Sequence, residues 1–540
     1  REQFKNIRKK NKISGFLRRD ESIHDIFGAG HASTSISAAL GFAHARDRNN
    51  LTDQVVAIIG DGAMTGGLAY EGINNLGYHR SQLTIVLNDN SHSISKSVGA
   101  LSHYLTRVAT NPTYNRIRND IWNISGKLPM SMYIRKILKK TEEGLKGYLT
   151  PGALFEELGM RYIGPIDGHD IDELIHTFQA VKKMNTPVLV HVYTKKGKGN
   201  QLAEKDAIKY YSIPGIANKK NGSSIPEYST VFGHSITQLA EKDKKILCVT
   251  AAMEIGTGMS PFIRKFPDRY IDVGIAEEHA VTYSAGLSAA GFKPIVPIYS
   301  TFMQRAYDNI LHDALLQKLP VIYCMDRAGI VGPDGPTHHG VFDISFMRSL
   351  PGMIVSAPKD GNELRNLLAT ALNSASNFSI RYPKDSGREF DLDLDPILLD
   401  IGKWEILNKG TAAVVLATGS MVGMMMDKKD IIYKELGYLP TIVNARFIKP
   451  LDETLLLDLC KSHESIITIE EGTLSGGFGS AVSDFLHDNN QTNKLSRLGI
   501  PDHFIQHGTR NELLQEIGLT IDNLIFVMKN KEKNQEVYEF

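Results

Sequence analysis

The stretch that most constrains the fold is Val55-Val56-Ala57-Ile58-Ile59-Gly60-Asp61-Gly62, together with its echo at Leu83-Thr84-Ile85-Val86-Leu87-Asn88-Asp89-Asn90. Each is a short, largely β-branched apolar run that stops abruptly at glycine or at Asn/Asp. A buried strand of a parallel sheet does this when it hands polar residues to the loop at its carboxyl end. Residues 63–77 suit the crossover helix of a βαβ unit. Open α/β sheets bind ligands just outside strand carboxyl ends, so Asp61 and Asn90 are expected near one another in such a crevice. Two hard oxygen ligands there suit Mg2+ on a diphosphate. A tight turn after a strand explains Gly-Asp-Gly equally well, and the rest of the chain has to decide.

The same alternation continues downstream. Strands are expected at residues 188–192, 247–250, 296–298, 321–325, 353–356, 412–417, 441–443 and 466–469, with helices between them. Composition turns linker-like at residues 218–229 (NKKNGSSIPEYS) and again at the acidic stretch 388–398. These breaks divide the chain into three consecutive α/β domains with mainly parallel sheets, at residues 1–225, 226–392 and 393–540. Residues 91–150 carry two proline breaks and irregular apolar spacing, with helices plausible at 101–108 and 132–138. They read as an insertion that covers the site or a dimer contact.

A hydrophobic content of 42%, a charged content of 22% and a net charge of +1 describe an ordinary globular protein with no global case for nucleic acid or a membrane surface. No apolar run approaches the ~18 residues of a membrane helix. Cys248, Cys324 and Cys460 are far apart with no CxxC, which argues against a disulfide framework or zinc knot and for a reducing interior. Positive charge is therefore local. Arg1, Lys5, Arg8, Lys9, Lys10, Lys12, Arg18 and Arg19 face a single acid, Glu2, over the first 19 residues. A flexible, solvated arm is the default reading and a phosphate-facing segment the alternative.

Candidate chemistry sits at the strand exits. Gly30-His31-Ala32-Ser33-Thr34-Ser35 looks like a helix N-terminus with hydroxyl caps, able to receive a cofactor or phosphate on its free amides. Lys195-Lys196-Gly197-Lys198-Gly199 puts charge on a glycine-rich exit, where a solvated turn is the commoner meaning. Glu277 and Glu278 open a helix, where an acid is favoured by the helix dipole alone. The next exit, residues 297–305, offers Phe302 for stacking on a flat heterocycle and Arg305 for a phosphate or carboxylate. Residues 326–340 form a Gly/Pro loop with Arg327, Asp334, His338 and His339. Adjacent histidines diverge, so acid/base work or substrate hydrogen bonding is expected there rather than a metal. Arg381 lies at one further exit.

The strings GHASTS, GDGAMTGG, NDNSHSIS, TKKGKG, YSTFMQRAYDN, DRAGIVGPDGPTH and IRYPK occur in order. Together they resemble the 1-deoxy-D-xylulose-5-phosphate synthase family of transketolase-like, thiamine-diphosphate enzymes, and the likeness spans nearly the whole chain from about Arg8. It implies a transferase that decarboxylates pyruvate and passes the two-carbon unit to D-glyceraldehyde 3-phosphate, in isoprenoid, thiamine and pyridoxal precursor synthesis. Asp61, Asn90 and the backbone carbonyl of His92 would hold Mg2+, and His31, Ala32, Ser33, Gly62, Ala63 and Lys196 would contact thiamine diphosphate. Glu277 would protonate the pyrimidine ring and Phe302 pack on it. Arg8, Tyr299, Arg305, Arg327, Asp334, His338 and Arg381 would form the substrate pocket, with His338 also catalytic. A homodimer is implied, cytoplasmic in a bacterium, a plastid being the alternative. Transketolase-type ketol transfer and an inactive cofactor-binding regulator are the competing functions.

Three departures from the family pattern bear on this. Ala32 replaces the usual serine, and Asn200 stands where the family has tyrosine. The sequence begins at Arg1 rather than Met, so a preceding segment with a further histidine motif is expected to be missing.

Overall fold

The computed structural model describes residues 2–90, 99–100, 152–207, 210 and 225–530. The expected helices at 101–108 and 132–138, His92 and most of the 91–150 insertion lie outside the described residues, as does the first part of the 218–229 linker. The described residues fall into two compact units. One joins residues 31–213 with 273–276, and the other joins 1–30, 214–272 and 277–540.

The first unit holds a four-stranded parallel sheet built from β1 (Val56–Gly60), β2 (Thr84–Asp89), β3 (Arg161–Asp167) and β4 (Val188–Tyr193), in the order β1-β2-β4-β3. The expected βαβ unit is present. A short 3-10 turn, Ala63–Thr65, leads into the crossover helix Gly67–His79. On one face Ile85 and Leu87 pack with Ile36, Leu40, Ile73 and Leu76 from two helices. On the other, Val86 packs with Val188, Val190, Val192 and Val181. Strand β2 thus sends successive side chains to two cores, which is why it reads as a continuous apolar run. Strand β1 differs from the expected fully buried strand. It lies at the sheet edge, and Val56 and Ile58 are exposed while Ala57 and Ile59 are buried.

The second unit contains two sheets. The larger combines β5 (Ile246–Thr250), β6 (Tyr270–Asp272), β7 (Lys293–Tyr299), β8 (Ile322–Asp326), β9 (Ile354–Ser356) and β10 (Phe378–Tyr382), all parallel. The other is formed by β11 (Glu405–Asn408), β12 (Ala413–Ala417), β13 (Thr441–Asn444), β15 (Ser465–Thr473) and β16 (Lys494–Ile500), parallel except at β11. Strand β14 (Phe447–Lys449) leaves its sequence neighbours and pairs antiparallel with β9, closing the edge of the larger sheet. Its order is β14-β9-β10-β8-β7-β5-β6. Residues 387–404 between the two groups of strands hold no helix or strand. Among the described residues no helix is long and apolar enough to cross a membrane.

The basic arm is not the flexible tail that its charge suggested. Arg8 pairs with Asp334, Lys10 Nζ lies 2.6 Å from Glu516, and the Lys12 carbonyl is 2.8 Å from His507 Nε2. Acids and a histidine distant in sequence supply the partners that the local charge count lacks.

Candidate active site

In the first unit, the parallel register that sets Gly60 beside Asn88 brings the polar ends of β1 and β2 together. The Asp61 amide donates to the Asn88 carbonyl at 3.3 Å, and the Asn90 amide donates to Asp61 Oδ1 at 3.4 Å. Asp61 is only 2% exposed. A carboxylate withdrawn from water, with the backbone of an asparagine beside it, offers the hard oxygens of Asp61 and Asn90 as a donor set, which fits Mg2+ and does not suit a soft metal. Burial pulls the Lys196 ammonium below its ordinary pKa while the charge of Asp61 pulls it back up, so Lys196 belongs to the same electrostatic neighbourhood. No cluster of three or more His, Cys, Asp or Glu suited to a metal occurs among the described residues.

His31 and Ala32 sit half-buried in the turn before the helix Ser35–Arg48. The expected hydroxyl cap is absent, because Thr34 at the N-cap makes no side-chain capping bond. Ser33 instead adopts φ of 74° and donates its hydroxyl to the Ala63 carbonyl at 2.6 Å. That bond ties the His31–Ser33 turn to the Gly62–Ala63 turn, so two expected cofactor segments are joined through a serine side chain. Asn200, where the resemblance breaks, caps the short helix Gln201–Lys205 through Oδ1. Sequence reading passed over Asp89. It is buried, and its Oδ2 lies 3.1 Å from His191 Nε2, whose Nδ1 is 2.7 Å from the Tyr162 hydroxyl.

In the second unit, Glu277 begins the helix Glu277–Ala289 but is only 1% exposed. Burial pushes its pKa up to about 7, against the opposing charge of Arg305, whose Nη1 is 3.5 Å from Oε2. A first-turn acid placed for the dipole alone gains about 0.3–1 kcal/mol when exposed and ionised. The shift from 4.5 to about 7 costs about 3 kcal/mol to ionise, so stability is not the reason for this carboxyl.

The other expected residues of this unit form a chain of contacts. Arg327 lies over the Tyr299 ring, its guanidinium carbon 3.9 Å from the ring centroid. Tyr299 stacks with Phe302 at 5.8 Å, Phe302 meets His338 edge-on at 5.3 Å, and His338 stacks on Phe16 at 4.5 Å. Arg8, paired with Asp334, has its guanidinium carbon 5.4 Å from the Phe16 centroid. Burial pushes the Tyr299 hydroxyl up to about 12, although Arg327 opposes the rise, so it stays protonated near neutrality. Arg327 Nη1 is 2.8 Å from a carboxylate oxygen of the fully buried Asp326, and the same nitrogen donates to the Gly256 carbonyl at 2.5 Å. Phe16 had no signal in the sequence, being one aromatic in a basic run.

The two adjacent histidines diverge as expected. His338 Nδ1 is 2.8 Å from Thr337 Oγ1, whereas His339 is buried. His339 Nδ1 accepts from the Val331 amide at 3.1 Å, so Nε2 carries the proton given to the Gln506 carbonyl at 3.2 Å. Burial lowers its pKa, in keeping with a neutral ring. Arg381 is placed differently from the expectation of a substrate-binding cation. It is 5% exposed, its Nε donates to Asp343 at 2.9 Å, and its Nη2 donates to the carbonyls of Glu471 at 2.9 Å and Gly340 at 3.4 Å. A guanidinium taken out of water needs a counter-charge and acceptors, and here the protein supplies them. These bonds give Arg381 the work of holding backbone.

Three family models match in series. Residues 1–194 match 1-deoxy-D-xylulose-5-phosphate synthase, residues 225–389 the transketolase pyrimidine-binding domain and residues 402–524 the transketolase C-terminal domain. A 1-deoxy-D-xylulose-5-phosphate synthase of Caldanaerobacter subterraneus subsp. tengcongensis is 46% identical over 523 residues, covering 96% of this chain and 84% of the relative. One of Aquifex aeolicus is 47% identical over 536 residues, covering 97% and 84%. Among solved structures, a split-gene transketolase, described as an inactive beta4 tetramer, matches with a TM-score of 0.51 at 26% identity, covering 56% of this chain and 97% of that one.

Proposed function

Since the chain belongs to the 1-deoxy-D-xylulose-5-phosphate synthase family, we propose that it condenses pyruvate with D-glyceraldehyde 3-phosphate, releasing CO2 and giving 1-deoxy-D-xylulose 5-phosphate with thiamine diphosphate as cofactor. The observation that carries the reading at residue level is Glu277, a carboxyl buried beside Arg305 and poised to titrate near neutral pH.

Thiamine diphosphate, when bound, supplies the electron sink that decarboxylation of a 2-oxo acid requires. Asp61 and Asn90 supply oxygen ligands for Mg2+ on the diphosphate, with the His92 carbonyl as the third protein ligand in this proposal. Lys196 and the amides of Gly62 and Ala63 serve the diphosphate, and the turn at His31, Ala32 and Ser33 contacts the cofactor. Glu277 holds a proton on its carboxyl near pH 7 and offers it to a ring nitrogen of the pyrimidine, while Phe302 presents a flat apolar surface to that ring. Arg305 and Arg327 provide guanidinium groups for the carboxylate and phosphate of the two anionic substrates. Asp326 beside Arg327 fixes the position of that positive charge. Tyr299 stays protonated and donates. His338 moves a proton, and the Arg8–Asp334 pair borders the same loop.

The division at residues 1–225, 226–392 and 393–540, a homodimeric state and a cytoplasmic setting complete the proposal. The test is direct: purified protein with thiamine diphosphate, Mg2+, pyruvate and D-glyceraldehyde 3-phosphate should release CO2 in step with 1-deoxy-D-xylulose 5-phosphate. Turnover of a ketose phosphate donor in place of pyruvate would refute it. Sedimentation of the same sample checks the dimer.

A further inference from the structure

Glu471 lies on β15, in the smaller sheet of its unit, yet its buried carboxylate, on a residue only 2% exposed, reaches the loop that follows β8 in the larger one. Oε1 accepts from the Ile330 amide at 2.8 Å. Oε2 accepts from the Ser420 hydroxyl at 2.8 Å and from Arg510 Nη2 at 2.5 Å. The Glu471 backbone carbonyl takes the Arg381 guanidinium, which also reaches the Gly340 carbonyl. Gly329 and Gly340, at the two ends of the loop, exchange backbone hydrogen bonds of 2.7 and 2.9 Å. One residue therefore grips the loop at its entry by side chain and at its exit through Arg381. Gly329 leaves no room for slack. It has φ of 78°, and a Cβ there would come within 2.5 Å of Glu471 Cδ.

The contacts around this grip point the same way. His339, on the loop, bonds the Gln506 carbonyl, and Gly332 faces the Gly508 backbone. The loop held in this way carries Arg327 just before Ile330, and Asp334 and His338 between the two holds. We propose that Glu471 is a positioning residue for the reaction: with Arg510 it sets the 326–340 loop, so that strand β15 and the 505–510 segment decide where the loop's anion-binding and proton-transfer groups stand. This rests on the reading of that loop as the substrate loop. A carboxylate with three donors, one of them a half-buried guanidinium, is a costly way to fill a core, and donors fixed to it in this way favour one arrangement of the chain.

The experiment compares Glu471→Gln, Glu471→Asp and Arg510→Gln with the wild-type chain. Amide hydrogen exchange is measured at Ile330 and Val331, and KM, kcat and thiamine-diphosphate affinity are measured for each. Exchange at these two amides should quicken by at least about tenfold in Glu471→Gln while β8 stays protected. Its kcat/KM should fall by about 100-fold, mainly through KM for the two anionic substrates, with cofactor affinity kept. Arg510→Gln should move the same readouts and add little in the double variant. Glu471→Asp retains the charge pair, so it stays folded if Glu471→Gln does not, and it should show the loop effect in milder form. Unchanged exchange at Ile330 and Val331 in folded variants would overturn the proposal, as would a loss of activity that tracks only the folded fraction. A wild-type chain without turnover would sink the functional reading, and the exchange arm would still decide the clamp.

Discussion

Replacing Glu277 by glutamine should make the apoprotein relatively more stable as pH rises while abolishing its chemistry. The buried carboxyl titrates at about 7 instead of 4.5, with burial as the cause and Arg305 only partly compensating. Between those values the folded chain keeps a proton that the unfolded chain releases, so stability falls as pH rises through the window. The cost is about 1 kcal/mol at pH 5 and about 3 kcal/mol at pH 8. Glutamine carries no such cost. The stability difference between variant and wild type should therefore shift by about 2 kcal/mol in favour of the variant from pH 5 to pH 8. Glu470, also pushed up to about 7 by burial, adds the same slope to both proteins and cancels. Loss of the Glu277–Arg305 bond and burial of an amide add an offset without pH dependence. The assay is urea unfolding of both apoproteins across that range, using the transition of the unit that carries Glu277, alongside turnover at saturating cofactor. A pH-independent difference, or a wild type that gains on the variant at pH 8, would refute the claim that Glu277 is a buried acid titrating at about 7.

Asp61→Ala should lose the thermal stabilisation that Mg2+ with thiamine diphosphate gives the wild type, worth about 2.7 kcal/mol at a hundredfold excess over Kd, because a charged ligand is removed. Calorimetry with and without both ligands checks it, and an undiminished upward shift counts against the metal assignment. Arg381→Ala should destabilise by about 3–5 kcal/mol by stranding the buried Asp343 carboxylate, read as a fall in urea midpoint. If Arg381 were chiefly a substrate ligand, stability would hold and only KM would rise. Gly329→Ala should cost about 1–3 kcal/mol from its positive φ alone, with KM for the anionic substrates rising as the loop is displaced from Glu471. Normal kinetics in that variant would mean the loop tolerates the shift.

What the sequence disclosed and what it concealed divide along one physical line. Strands such as Val188–Tyr193 and Ala413–Ala417 were legible because apolar runs ending at polar residues report local burial. Asp61, Glu277 and Arg327 could be named as candidates because each sits where such a run stops. Strand β14 was not, since three residues from Phe447 to Lys449 are too few to show a period, and its partner β9 is far away in the chain. The charged residues failed in the same manner. The arm at residues 1–19 looked solvated because Asp334 and Glu516 lie hundreds of positions downstream. Arg381 looked like a ligand-binding cation because Asp343 and the Glu471 carbonyl become its neighbours only once the sheets have formed. A cation at a strand exit is thus ambiguous until its counter-charge is found. Arg327 and Arg381 resolve the ambiguity in opposite ways. Arg327 has its face on Tyr299 and one nitrogen near both Asp326 and the Gly256 carbonyl. Arg381 is enclosed by acceptors from two segments, residues 340–343 and β15. In the proposed function the first serves an anion, whereas the second spends its charge on Asp343 and on the Gly340 and Glu471 carbonyls.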